Sequence, residues 1–419
     1  MKNRFYLLVL LTVFSTSLAA QDLQEIFGAG LNAYEQKNYP DFLTYMRQAD
    51  SLRKNHPVIL TNLAKAFALN NQQEDAINIL TRVAYMDASV DIGSEDFSSL
   101  QQVPSYLELK QLLAFLKTPI KNSQTFLELP DKTLHPEGIA YHKKSNTFFV
   151  SSLHQRKVLM VDGDKSISVF YEGEALFGIM GMAVDQEKDL LWVCSTAVPQ
   201  MQGYKESMDG KASILCFDIK EKGLIRSYPV KDAKAWLGDL ALSLSGEVYC
   251  TSSLASDPAI YKVNVVKGAT EKWLAVPELI SLQGITFEPK SKRFYLADYR
   301  YGIFTIDTET KSISLLKNKT KHPLKGIDGL YYHKNSLIAI CNGLTPFQIV
   351  KFELDNLGNS LEDFAYLDKA LSVLNEPTLG TIVNNTFYYI ANSPWGAYDK
   401  SNKQISEKLS KPLILKVKL

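Results

Sequence analysis

Apolar residues follow two different periods along this chain, which divide it into a helical part and a β part. Between residues 22 and 117 they recur every three to four positions, as on one face of an amphipathic helix. From residue 123 onwards, short runs rich in β-branched and aromatic residues alternate with polar ones between turn residues. The sequence therefore predicts a small all-α domain over 22–118 and a mainly β domain over 123–419.

The helical part contains two segments with one plan. LNAYEQKNYPDFLTYMRQADSLRKNHP and LAKAFALNNQQEDAINILTRVAYMD each hold an Ala/Leu-rich helix, a polar turn and a second amphipathic helix. Equivalent residues lie about 32 to 33 positions apart, close to the 34-residue period of tetratricopeptide repeats. This part resembles that family, with YLELKQLLAFL as a capping helix. The resemblance implies a groove for a protein partner, and the alternative is a small domain that packs on its neighbour.

The β part repeats a four-strand unit six times. The first strands begin at GIAY, GMAV, DLAL, GITF, GLYY and GTIV, and the second strands end in a small residue followed by a polar one. The sixth unit stops at Leu419 with its third strand, and SQTFLELP (123–130) is predicted to supply its fourth. Such closure pairs sheet edges that would otherwise stay open. The pattern predicts a six-bladed β-propeller closed by strand 123–130.

The first twenty residues have the pattern of a secretory signal peptide. Two basic residues precede the apolar run FYLLVLLTVF and the small-residue stretch STSLAA, and no lipid-anchor cysteine follows. We expect cleavage near Ala20 and a secreted or periplasmic soluble protein, because no segment reaches membrane-spanning length. The net charge of +1 gives no reason to expect a nucleic-acid partner.

The four cysteines are too few for a disulfide framework. Cys194, Cys250 and Cys341 occupy equivalent positions in second strands, where small buried residues are expected. Core packing is therefore predicted for the cysteines. Cys194 and Cys216 are the pair best placed for a disulfide.

Polar residues recur where the first strands begin. In a blade, the first strand lines the channel and the second runs antiparallel to it, so the start of one and the end of the other share a rim. Glu137 and Asp328 would place two carboxylates at that rim, which repel each other and are costly to desolvate. A hard cation such as Ca²⁺ removes that cost. The alternative is that polar strand ends merely bind channel water.

The first-strand motifs PEGIAY, LQGITF and IDGLYY resemble those of the senescence marker protein/gluconolactonase family. Members are six-bladed propellers whose central divalent cation supports lactone hydrolysis. The resemblance implies a Ca²⁺ site, with Zn²⁺ or Mn²⁺ as alternatives. The metal ligands that it implies are Glu137, Gln283, Asp328 and, less directly, Asp239.

Two departures from the family pattern lie in the third blade. The family has Asn before Asp there, whereas this chain has Gly238 before Asp239, so Asp239 is a ligand only if it turns inward. Trp236 stands where the family has a substrate-binding arginine. These departures favour a second hypothesis, in which the propeller and the helical part form a non-catalytic binding or assembly protein.

The enzymatic hypothesis is a secreted metal-dependent hydrolase of the lactonase type, acting on a small, sugar-derived lactone in the channel. The cation would polarise the carbonyl and lower the pKa of a bound water. Asp328 would be the general base, with the loop histidines His135, His154 and His322 as alternatives. The chain contains no serine-hydrolase elbow, P-loop or HExxH motif.

Two insertions are predicted to wall the pocket. Segments 197–211 and 393–412 join the second and third strands of the second and sixth blades, and carry aromatic residues that suit a small ligand. Tyr299 and Tyr398 are further candidates for this wall. The residues predicted to bind substrate are Asp298, Arg300, Asn342, Asn392, Trp395, Tyr204 and His154.

Overall fold

The computed structural model describes residues 22–231 and 233–419, and the predicted signal peptide over 1–20 lies outside them. The chain divides into two compact units, the first ending at Thr118 and the second beginning at Pro119. No helix of the described residues is both long and apolar enough to cross a bilayer.

The first unit is all-α. Proline occupies the first turn of three of its helices, where its missing N–H is not needed, and the Asn38 side chain accepts the Asp41 N–H at the start of the second. Each of α2 to α4 packs on the next helix along the chain. The tetratricopeptide likeness stays a prediction. The helices are α1 (22–35), α2 (Tyr39–Leu52), α3 (Pro57–Leu69), α4 (Gln73–Met86) and α5 (Pro104–Lys117).

The second unit consists of six sheets that follow one another along the chain, so the predicted six-bladed β-propeller is confirmed. Within each blade the strands are antiparallel neighbours, and the first lies next to the first strands of adjacent blades. The strands of the first three blades are β3 (Ile139–His142), β4 (Thr147–Ser152), β5 (Lys157–Val161) and β6 (Ile167–Glu172); β7 (Gly178–Asp185), β8 (Leu190–Thr196), β9 (Ala212–Asp218) and β10 (Gly223–Pro229); and β11 (Leu237–Leu242), β12 (Val248–Ser252), β13 (Ala259–Asn264) and β14 (Ala269–Ala275).

The fifth blade carries two short additional strands on its outer side, and the sixth takes its fourth strand from the start of the unit. The fourth blade contains β15 (Leu282–Glu288), β16 (Arg293–Asp298), β17 (Gly302–Asp307) and β18 (Ile313–Leu315). The fifth contains β20 (Ile327–His333), β21 (Ser336–Cys341), β22 (Gln348–Leu354) and β23 (Ser360–Lys369), with β1 (Ile120–Lys121) and β19 (Lys317–Asn318) beside β23. The sixth contains β24 (Gly380–Val383), β25 (Thr386–Ile390), β26 (Leu413–Lys418) and β2 (Gln124–Glu128).

Strand β2 joins the two ends of the propeller. It pairs antiparallel with β26, from Gln124 opposite Lys416 to Glu128 opposite Leu413. The Phe126 ring lies 4.9 Å from that of Phe148 in the first blade and 5.0 Å from that of Tyr388 in the sixth. The closing strand therefore contributes both backbone hydrogen bonds and an aromatic contact between the first and last blades.

Close approach of the inner strands explains a ring of glycines. A Cβ on Gly284 would lie 2.4 Å from the Leu330 nitrogen, and one on Gly138 would lie 2.5 Å from the Met180 carbonyl oxygen, both too close for any side chain. The third blade has Asp239 at this level. Beyond the ring, the inner strands line a cavity of about 310 Å³. The five glycines are Gly138, Gly181, Gly284, Gly329 and Gly380, of which Gly380 is crowded by Phe387 and Tyr388 of its own blade.

The cysteines pack in the core. All four are buried and free, and Cys194, Cys216 and Cys250 belong to one apolar cluster of the second and third blades. The predicted Cys194–Cys216 disulfide is wrong, because Cys194 lies opposite Ile214 and Cys216 opposite Trp192 across the β8–β9 ladder.

Candidate functional site

Glu137 lies buried just before β3, between Pro136 and Gly138. Ser151 Oγ in β4 accepts the N–H groups of Glu137 and Gly138 at 3.0 and 2.6 Å, which fixes this segment. Glu137 Oε1 accepts hydrogen bonds from Ser393 Oγ at 2.6 Å and Trp395 Nε1 at 2.8 Å. Burial raises the pKa of Glu137 to about 7, although these two bonds act in the opposite direction. With no cation bound, the Glu137 carboxyl group therefore titrates near neutral pH.

The His135 side chain packs directly against the Glu137 carboxyl group. Its ring is fully buried, with Nδ1 2.7 Å from the Tyr398 hydroxyl and Nε2 3.2 Å from Glu137 Oε1. The second contact is poorly aligned and makes no hydrogen bond. The Trp395 ring meets the imidazole edge-on at 4.7 Å. Burial lowers the pKa of His135 to about 3, so the imidazole is neutral beside Glu137.

Asp328 begins the inner strand of the fifth blade and is oriented by a hydrogen-bonded chain. Asn342 Nδ2 donates to Asp328 Oδ2 at 2.7 Å, and the Tyr299 hydroxyl donates to Asn342 Oδ1 at 2.9 Å. Burial, followed by the charge of Glu137, raises the pKa of Asp328 to about 8. The predicted substrate residue Asn342 thus contacts the predicted general base directly.

Glu376 is a further acid of this rim, and the repeat pattern of the sequence did not identify it. Its Oε2 accepts the Gly396 N–H at 3.0 Å, and burial followed by the charge of Glu137 raises its pKa. The signal was the EPTLG motif before β24, in which the acid precedes Gly380 by four residues. Glu137 and Asp328 precede their glycines by one, so Glu376 fell outside the repeat.

Asp239 is held within the glycine ring. Its Oδ1 accepts the Leu240 N–H at 2.9 Å and its Oδ2 the Ile285 N–H at 3.3 Å. Burial raises the pKa of Asp239 to about 7, and the charge of Asp328 adds to the shift. Each oxygen of Asp239 already accepts one backbone N–H group, so the inner strands hold this carboxyl group, and its ligand role stays a prediction.

The remaining predicted ligands fit a hard cation by their chemistry. Among the described residues no group of three or more His, Cys, Asp or Glu side chains is arranged around one metal position. Glu137, Gln283 and Asp328 nevertheless stand at equivalent positions of three blades. In the described part of the chain, no hydrogen bond ends on Glu137 Oε2, Gln283 Oε1 or Asp328 Oδ1. Two carboxylate oxygens and one amide oxygen are the donors that Ca²⁺ prefers.

Asp298 has a structural role instead of the predicted substrate contact. It is fully buried. Its Oδ2 accepts the N–H groups of Ile280 and Ser281, and its Oδ1 accepts those of Arg300 and Tyr301, all at 2.9 Å. The carboxylate is therefore occupied by the backbone of the two loops beside it, which corrects the prediction.

Asn392 is also structural. Its Nδ2 donates to Ser410 Oγ and to the Lys411 carbonyl, and its Oδ1 accepts the Leu413 N–H at 2.7 Å. These bonds close the base of the sixth-blade insertion. The predicted substrate contact of Asn392 is therefore corrected as well.

The two insertions meet each other at the rim. His154 Nδ1 lies 2.6 Å from the Gln200 carbonyl oxygen, and Gln200 Nε2 donates to Asn402 Oδ1 at 3.1 Å. The rings of His154 and Tyr398 lie 6.0 Å apart, and burial lowers the pKa of His154. The insertions therefore hold the aromatic wall together.

Three other candidates lie apart from this cluster. Arg300 is exposed and Tyr204 is half-buried, and within the described residues no side-chain hydrogen bond of either reaches the acids. His322 is buried in the fifth blade, with Nε2 3.1 Å from Gln348 Oε1 and its ring against Phe352. It is a core residue, so it is not an alternative base.

Comparison with known proteins extends only to the fold. No family model and no curated protein matches the chain. Among solved structures, a gluconolactonase from Xanthomonas campestris is 13% identical, with 72% of this chain and 95% of that chain covered at a TM-score of 0.46. A luciferin-regenerating enzyme is 13% identical, with 72% and 96% covered and a TM-score of 0.49. Virginiamycin B lyase from Staphylococcus aureus is 12% identical, with 71% and 99% covered and a TM-score of 0.46. At such values the chemistry has to be argued from the residues of this chain.

Proposed function

We propose that this protein is a secreted or periplasmic hydrolase of small lactones that uses a divalent cation, Ca²⁺ in the first place, held by Glu137, Gln283 and Asp328. The observation that carries the proposal is that these side chains occupy equivalent positions at the start of three inner strands. Within the described residues, each of them keeps one oxygen to which no hydrogen bond is donated. Two acids at one rim, with pKa values raised to about 7 and 8, are costly to ionise together. A cation offsets that cost.

The hydrolytic steps follow from the orientation of Asp328. When bound, the cation polarises the lactone carbonyl. Asp328 accepts a proton from the attacking water as the general base. Oδ1 is the oxygen assigned to the cation, so the proton is taken at Oδ2, which accepts one hydrogen bond from Asn342 Nδ2 and keeps a second lone pair. The same proton then passes to the ring oxygen as the C–O bond breaks, which leaves an open hydroxy acid.

The charges of the rim favour an uncharged substrate. Glu376 adds a third carboxyl group beside Glu137, and Trp236 stands where the resemblance implies a substrate-binding arginine. Anionic lactones are therefore repelled, whereas the rings of Trp395 and Tyr398 offer a surface for a neutral, sugar-like ring.

Metal and lactone titrations of the purified protein test the proposal. After treatment with EDTA, Ca²⁺ should raise the melting temperature by several degrees, and the protein should hydrolyse neutral lactones in a pH-indicator assay. Asp328→Asn should lose both responses. Glu309→Gln, an exposed acid paired with Lys292, is the matched control and should keep both.

The contradicting result is a protein that gains no stability with Ca²⁺, Mn²⁺ or Zn²⁺ and opens no lactone. That outcome would favour the non-catalytic binding protein, with a partner at the helical unit.

A further inference from the structure

A serine, a histidine and an aspartate meet at the far end of β3 from Glu137. Ser145 Oγ in the β3–β4 turn lies 2.8 Å from His142 Nδ1, and His142 Nε2 lies 3.1 Å from Asp189 Oδ1 in the second blade. His142 is buried and Ser145 is exposed. These contacts place a hydroxyl, an imidazole and a carboxylate in one line.

The hydrogen-bonding partners of His142 suit Ser145 as a nucleophile and His142 as its base. The Lys144 ammonium, 2.8 Å from Asp189, and His142 lower the pKa of Asp189, which keeps it ionised. An ionised Asp189 accepts the Nε2 proton of His142, so Nδ1 is left free to accept the Ser145 hydroxyl proton. Nucleophile, base and orienting acid are thereby in the order that acyl transfer requires.

The three residues line a cavity of about 480 Å³. Phe149, Met160 and Ile219 give it an apolar wall that suits a short acyl chain. In the described residues, the backbone N–H groups of Lys144 and Ser145 donate no hydrogen bond, so they remain available to a developing oxyanion.

We propose that Ser145, His142 and Asp189 form a second, metal-independent site that hydrolyses short-chain carboxylic esters. His142 Nδ1 takes the Ser145 proton as Oγ bonds to the carbonyl carbon. The same proton then goes to the alkoxide that leaves when the ester C–O bond breaks. Water repeats the sequence on the acyl-serine, which releases the acid and restores the hydroxyl. This site does not depend on the lactonase proposal.

A fluorophosphonate probe, which reacts with activated serines, tests the site on the full chain in EDTA. Peptide mass spectrometry should find the label on Ser145, and p-nitrophenyl acetate should be hydrolysed without metal. Ser145→Ala should lose the label and reduce the rate at least tenfold. Ser166→Ala changes an exposed serine in the β5–β6 turn of the same blade and should keep both.

Asp189→Asn provides a second, conservative variant. It should slow labelling of Ser145 and lower kcat about tenfold or more, with an unchanged circular dichroism spectrum, because the imidazole loses its preferred tautomer. The proposal is overturned if Ser145 stays unlabelled, or if Ser145→Ala hydrolyses the ester at the wild-type rate. Either result would leave the Ser145–His142 bond as a turn contact.

Discussion

Two acids of the rim, Glu137 and Asp328, bind protons more tightly in the folded protein than in the unfolded chain. The pKa of Asp328 rises from an ordinary value of 3.8 to about 8, and that of Glu137 from 4.5 to about 7. At pH values between the ordinary and the raised pKa of each group, the folded state holds a proton that the unfolded chain has released. The free energy of unfolding therefore falls as the pH rises from about 4 to 8, and metal-free protein is least stable above that range.

Asp328→Asn should remove much of the decrease in unfolding free energy that wild type shows at high pH. Each unit of pKa corresponds to about 1.4 kcal/mol. Because Asp328 is only half-buried and water screens its charge, we expect a gain of about 2 kcal/mol at pH 9. At pH 5 the unfolded chain has released the Asp328 proton while the folded state still holds it, so the gain should be smaller, below about 1 kcal/mol. Urea unfolding in EDTA at both pH values measures this, and a variant less stable at pH 9 contradicts it.

Trp395 should report the ionisation of Glu137. Its indole N–H donates to Glu137 Oε1, so its fluorescence should change with a midpoint near pH 7. Trp395→Phe and Glu137→Gln should each abolish the transition. Trp273→Phe, whose ring packs on Tyr249 in the third blade, should retain it. A transition that survives Trp395→Phe would assign the signal to another group.

Residue positions were predictable where the repeat determines them. The sequence pattern identified Glu137, Gln283 and Asp328 from the same repeat position in three blades. In the part of the chain that the structure describes, each has an oxygen that accepts no hydrogen bond. His135 and Glu376 belong to loops, where the direction of a side chain depends on the fold of the insertion opposite. Asp298 was misassigned because a sequence does not show which backbone N–H groups will face a carboxylate.

At the scale of elements, the closing strand depends on Phe126 as well as on backbone pairing. Phe126→Ala removes contacts with Phe148 and Tyr388 across the closure. Because the ring is half-buried, we expect a loss of about 2 kcal/mol, below the range for fully buried phenylalanines. Val169→Ala, on the outer strand β6 and largely exposed, should cost less than about 0.5 kcal/mol. If denaturant unfolding shows equal losses of unfolding free energy for Phe126→Ala and Val169→Ala, the special role of the closing strand is contradicted.

Elements of the propeller were predictable because each blade repeats the same alternation, so a weak signal in one unit is supported by five others. The pairing of the short strands β1 and β19 with the fifth blade was not predicted. They are two residues long and exist only because the outer edge of β23 is available to them. Their formation depends on tertiary contacts, which a local pattern does not contain.

For the whole molecule, the six sheets and the strand that closes them all lie within residues 119–419. A fragment of 119–419 should therefore fold and keep the pH dependence of the acids, with a melting temperature within about 3 °C of the full chain. A fragment of 131–419 lacks β2, which leaves the β26 edge unpaired and removes Phe126, so it should unfold or aggregate. Thermal melting by circular dichroism and size-exclusion chromatography compare the two. A 131–419 fragment as stable and monomeric as 119–419 would show that the ring does not need its closing strand.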